Sequence, residues 1–96
     1  MKIDFNNNDG NLNVALEGRL DTITAPDLES FLNKNHDAKT YLVIDCEKLV
    51  YVSSAGLRVL LGAQKKTKGA MKLKNVNELV MEVFEMTGFA DIFTIE

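Results

Sequence analysis

The run Tyr41-Leu42-Val43-Ile44 constrains this chain more than any other segment. It is short, continuously apolar and contains two β-branched residues. That pattern predicts a central strand covered on both faces. The elements around it supply the cover. Ile3 and Phe5 alternate with polar residues and predict a short first strand. Asn6 to Asn11 is a dense turn signal, because Asn, Asp and Gly tolerate positive φ. Leu12, Val14 and Leu16 alternate again, so the two strands form a hairpin, with Gly18 closing the second.

Thr24-Ala25-Pro26-Asp27 is a helix start. Thr24 stands at the cap, Pro26 sits in the first turn where no amide donor is needed, and Asp27 completes a capping-box pattern. Ala25, Leu28, Phe31 and Leu32 form the apolar stripe. Asn33 to Lys39 reads as a polar connection. Leu49 to Val52 is strand-like, then Ser53-Ser54 gives way to Leu57, Leu60 and Leu61 at helical spacing. Lys65, Lys66 and Lys68 suit the end of that helix, and Gly69 stops it. Met71 and Leu73 mark a fourth strand. Asn77 is an N-cap for a helix carrying Val80, Val83 and Phe84. Gly88 fits its C-cap, with Phe89 packing back over the last turn. The tail to Ile95 is apolar and predicted to dock.

The order β-β-α-β-α-β-α predicts right-handed parallel crossovers and one antiparallel edge. The fold class is α/β, a small mixed sheet of four to five strands with packed helices. With 96 residues and no linker or repeat, residues 1–96 read as one domain. Apolar residues make up 46% and charged residues 26%, the balance of an ordinary globular chain. A net charge of -3 argues against a general binder of nucleic acid or anionic membrane. No apolar run approaches the roughly 18 residues that span a bilayer, and no signal-peptide core follows Met1. The expected compartment is the cytoplasm.

Catalysis is poorly supported. The single Cys46 excludes an internal disulfide and a multi-cysteine zinc site, and at the end of the central strand it reads as a small buried hydrophobe. The single His36 lies in the polar connection and reads as an exposed loop residue. No Gly-rich phosphate loop or carboxylate dyad is present. Lys65, Lys66, Lys68, Lys72 and Lys74 form the one basic cluster, which reads as a solvated helix end and strand edge or as a contact for an acidic protein. The stretch Leu49 to Leu61 is the informative one. Ser53 or Ser54 caps the helix there, while Ala55 and Gly56 allow close packing of its first turn. A hydroxyl at a helix start is also well placed for a reversible phosphate, which would meet free N–H groups and the positive helix end.

Three motifs in order carry a resemblance: Gly18-Arg19-Leu20-Asp21-Thr22, Leu49 to Leu61, and Val83-Phe84-Glu85-Met86-Thr87-Gly88-Phe89. Together they resemble a STAS domain, and more narrowly the stand-alone bacterial anti-sigma factor antagonists, over nearly the whole chain. The resemblance implies a regulator that is not an enzyme and needs no cofactor or metal. It implies binding to an anti-sigma factor that is also a serine kinase, release on phosphorylation, and reversal by a PP2C-type phosphatase. Matched on Gly56-Leu57, the phospho-acceptor falls on Ser54. Asp21, Thr22, Ser53, Ala55, Gly56 and Arg58 would line the partner surface. Family members carry Asp before the acceptor where this chain has Ser53, so Ser53 is a second candidate acceptor. They carry Ser or Thr after it where this chain has Ala55. Another class stays open: a small-ligand or nucleotide-binding STAS protein, or an accessory subunit of a transport assembly.

Overall fold

The computed structural model describes residues 1–37 and 39–96. Strand β1 (Lys2–Asn8) and strand β2 (Asn11–Leu20) lead to helix α1 (Ala25–Asn35). Strand β3 (Tyr41–Val52), helix α2 (Ser54–Lys66), strand β4 (Met71–Lys74) and helix α3 (Glu78–Thr87) follow, then a 3₁₀ turn at Phe89–Asp91. The sheet order is β1-β2-β3-β4. β1 is antiparallel to β2, while β2–β3 and β3–β4 are parallel. This is the mixed α/β sheet that the alternation predicts.

The hairpin turns on Asp9 and Gly10, both at positive φ, which is tighter than the six-residue turn signal suggested. β2 passes through Gly18, at φ 103, and ends at Leu20. β3 likewise runs on through Cys46. Its register against β2 shifts between Ala15 and Glu17 and again between Gly18 and Arg19. Each shift places an extra residue in β3, so its buried positions change from Leu42, Ile44 and Cys46 to Leu49 and Val52. The period of two is lost there, and that is why the sequence pattern stopped the strand at Cys46.

One face of the sheet packs on the helices. Leu12, Val14 and Leu16 of β2, Leu42 and Ile44 of β3, and Met71 and Leu73 of β4 meet Leu28, Leu60 and Phe84 in one core. The sheet is not covered on both faces, as the apolar run had suggested. Val43 is buried but stands outside that core. Its side of the sheet carries Asn13, Ala15, Asp45 and Lys74 around an open concavity. A continuous apolar run here marks one buried residue among polar neighbours, not a second layer.

Asn77 caps α3 by accepting the Val80 amide at 3.0 Å, and Gly88 at φ 81 ends it. Phe93 is buried, with its ring against Phe84 and Phe89. Ile95 pairs with Leu73 in a parallel bridge, so the tail docks at the sheet edge.

His36 corrects another expectation. α1 extends to Asn35 and takes in the first three residues of the presumed polar connection, whose Ala38 lies outside the described residues. His36 caps the helix by donating its amide to Leu32 O at 2.9 Å, and the residue is only 5% exposed. The basic cluster also divides. Lys66 Nζ donates to His36 O at 3.1 Å, while Lys72 pairs with Glu96 at 2.9 Å.

Candidate functional site

The carboxyl ends of β2 and β3 converge on the start of α2. The Ser53 amide donates to Leu20 O at 2.8 Å, continuing the parallel pairing one residue beyond β3. Ser53 is extended (φ -93, ψ 175) and its Oγ accepts the Gly56 amide at 3.4 Å. Its carbonyl takes the Leu57 amide at 2.9 Å. Ser53 is therefore the N-cap, and Ser54 is the first helical residue, exposed at the positive end of α2. Gly56 and Leu57 are buried beneath it.

The loop after β2 is built by Asp21 rather than by Thr24 as a simple cap. Asp21 Oδ1 accepts the amides of Ile23 at 3.0 Å and Thr24 at 3.1 Å. Thr24 Oγ1 accepts the Asp21 amide at 2.9 Å and lies 2.7 Å from Arg19 O, to which it donates. Thr24 has helical φ and ψ and makes no side-chain cap to α1. The expected Thr24 cap is thus replaced by a reciprocal Asp21–Thr24 turn, which shares the oxygen and amide groups that a capping box would use.

These bonds, first that from the Thr24 amide, hold the Asp21 carboxyl below the usual carboxylate range. Arg19, whose Nε is 3.6 Å from Asp21 Oδ2, adds to this. The Arg19 guanidinium also lies over the Tyr51 ring, 4.3 Å from its centre. Arg19 and Tyr51 are register partners on β2 and β3, so this stack braces the sheet end from which both loops leave.

Asp21 on the loop after β2 and Ser53 at the start of α2 are thus joined through Leu20, with Thr22 exposed on that loop and Ala55 half-buried in the first turn of α2. Arg58 is one turn further along α2 and lines a groove between α1 and α2 beside Glu29. Sequence reasoning missed Ile23, which is 84% exposed on the Asp21 loop. The available signal was an isolated isoleucine belonging to no periodic stripe. It also missed the Arg19–Tyr51 stack, because nothing local marks a cross-strand pair.

No group of three or more His, Cys, Asp or Glu residues suited to a metal occurs among the described residues. No described helix is long and apolar enough to cross a membrane. Cys46 is fully buried, and burial, reinforced by the Asp45 charge, pushes its thiol up to about 12. That keeps it protonated and far from a nucleophile.

The fold and this site define a small α/β domain in which a braced loop and a helix start form one surface. The chain belongs to the STAS domain family, whose model matches residues 2–96. It is 36% identical to BtrV of Bordetella bronchiseptica, named among the anti-sigma factor antagonists, over 99% of this chain and 85% of that protein. It is 31% identical to the anti-sigma-B factor antagonist of Bacillus subtilis, over 99% of this chain and 90% of that protein. The fold also matches the anti-sigma factor antagonist SpoIIAA in its unphosphorylated form, with a TM-score of 0.80 at 16% identity over 99% of this chain and 88% of that one.

Proposed function

We propose that this protein is an anti-sigma factor antagonist working as a partner switch in the cytoplasm. Unmodified, it binds an anti-sigma factor that is also a serine kinase, and so frees the sigma factor. The kinase transfers the γ-phosphoryl group of ATP to Ser54 Oγ, leaving ADP, and the complex dissociates. A PP2C-type phosphatase restores the free hydroxyl. Asp21, Thr22, Ser53, Ala55, Gly56 and Arg58 form the surface that meets the partner, with Ile23 added to it.

One observation carries the reading: Ser54 is exposed at the start of α2, beside the Asp21 loop, in a chain whose named relatives are antagonists of this kind. The physics suits a switch at the surface. A phosphoserine adds about -1.5 to -2 charge at neutral pH. The helix start accommodates that charge within this protein. A packed interface does not, because the anion would have to be desolvated against the partner.

The test is phosphorylation by the cognate kinase-type anti-sigma factor and ATP. One phosphate on Ser54 is expected by peptide mass spectrometry. Ser54→Ala should bind the partner as tightly as the native chain and stay unmodified. Ser54→Asp should bind at least about tenfold more weakly, with little change in melting temperature. Phosphate on Ser53 alone, or equal affinity of all three forms for the partner, would reject the assignment.

A further inference from the structure

Helix α3 carries more apolar residues than its core contact uses. Val80 and Phe84 are its buried residues and hold it on the sheet. Leu79 and Met86 face outward, 64% and 79% exposed, and half-buried Val83 lies between them in sequence. The spacing i, i+4, i+7 sets these three in one stripe along the helix. A second stripe runs beside it at the same spacing: Glu78, Glu82 and Glu85, all exposed. A shallow groove of about 340 Å³ is lined by these glutamates with Val76, Met81 and Met86.

Neither stripe serves the fold. Leu79 and Met86 bury little against this chain. Among the described residues, none of the three glutamates forms an ion pair, and α3 contains no Lys or Arg. Glu78 suits the helix start. Glu82, however, stands four residues from Glu78 and three from Glu85, spacings at which like charges repel. Glu85 lies in the last turn, where the helix dipole disfavours an anion. The acidic stripe therefore weakens the helix that bears it.

Charge decides what covers this face. A second copy packed α3 on α3 would set the same carboxylates against each other. A nucleic acid or an anionic bilayer would add its own negative charge. A cationic protein segment removes the repulsion and shields the apolar stripe together. We infer that the outer face of α3 is a docking surface for a cationic amphipathic helix of a partner protein. Its apolar side chains lie along Leu79, Val83 and Met86, and its Lys or Arg heads reach Glu78, Glu82 and Glu85. The flexible thioethers of Met81 and Met86 adapt to the shape they meet. This surface shares no residue with the Ser54 surface, and it does not depend on the partner-switch reading.

The probe is a synthetic peptide of about 14 Leu and Lys residues, ordered so that Leu fills one helical face and Lys the other. Titrated into the full-length ¹⁵N-labelled chain, it should give saturable amide shifts centred on Leu79, Glu82 and Met86, with a Kd of about 10–100 μM. A peptide with Glu in place of every Lys should bind at least about tenfold more weakly. So should one of unchanged composition whose order spreads Leu around the helix. Leu79→Gln combined with Met86→Gln should weaken binding at least about tenfold and leave the melting temperature nearly unchanged, because both side chains are exposed and Gln is a good helix former. Glu82→Gln combined with Glu85→Gln should weaken binding at least about threefold while raising the melting temperature. Absence of saturable shifts, shifts centred on another face, or undiminished binding by the Leu79 and Met86 variant overturns the surface. Equal binding of the Glu-bearing peptide, or undiminished binding by the Glu82 and Glu85 variant, overturns the cationic partner. Equal binding of the reordered peptide overturns the amphipathic helix.

Discussion

A methyl group on Gly56 would lie 2.7 Å from Cγ of Leu20 and 2.9 Å from its carbonyl oxygen. The first turn of α2 therefore rests on the end of β2 with no space for a side chain. Leu20 O also accepts the Ser53 amide, so the contact and the hydrogen bond fix the helix start as one unit. Backbone sits on one side of this contact, so a rotamer change cannot relieve a clash.

Gly56→Ala should lower stability by about 1–3 kcal/mol, since overpacking outweighs the helix-propensity gain. Gly62→Ala, on the same helix but facing open space, should raise stability by about 0.5–1 kcal/mol. Urea denaturation of the two variants checks this. Shifts of the same sign would contradict the packing argument.

Ser53→Ala removes the Oγ that accepts the Gly56 amide. At 3.4 Å that bond is long, so a loss of about 0.5–1 kcal/mol, the low end for an N-cap, is expected. Ser54→Ala should stay within about 0.5 kcal/mol of the native chain, because its side chain is exposed. Chemical denaturation distinguishes them; a larger cost at Ser54 would make it the cap.

Asp21 should make stability acid-sensitive. Its folded carboxyl titrates below its unfolded value. The stabilisation is therefore fully present above the unfolded value of about 3.9 and is lost as pH falls through the lower folded value. The stability difference between the native chain and Asp21→Asn should be constant from about pH 5 to 8 and shrink below about pH 4. Carbon-detected NMR titration of the Asp21 carboxyl checks the direction. A folded value above the ordinary one would refute the turn's role.

Cys46 should be inert in the folded state. With its thiol pushed up to about 12 and its side chain fully buried, it should not react with Ellman's reagent at neutral pH. Full reaction is expected after unfolding in urea. Rapid labelling of the native protein would mean that β3 opens locally.

Much of this was legible in the sequence because local physics is faithful to it. The caps at Asn77 and Gly88, the close packing at Gly56 and the helix stripes each follow from a few adjacent residues. What stayed hidden depends on distant partners. The two register shifts that lengthen β3 are set by its neighbour β2. His36 is buried because Thr40 and Lys66 come to it, and the polar residues around it signal exposure. The start of α1 follows from Thr24-Ala25-Pro26-Asp27, but that the Thr24 hydroxyl serves the Asp21 turn instead of the helix cap depends on geometry that residue type alone does not specify. The Ser53–Ser54 pair was visible as a site, and only the extended backbone of Ser53 separates the cap from the exposed hydroxyl.

The docked tail has a consequence for self-association. The Leu73 amide donates to Thr94 O and the Glu96 amide donates to Leu73 O, so residues 94–96 occupy the outer side of β4. A foreign strand could not add there without first peeling away residues 94–96. The opposite border, β1, carries Lys2, Asp4, Asn6 and Asn8 along its length. Charged and amide side chains of that kind discourage ribbon-to-ribbon growth. One border is thus blocked by the chain itself and the other is guarded chemically, which favours solubility at the high local concentrations where open sheets polymerise.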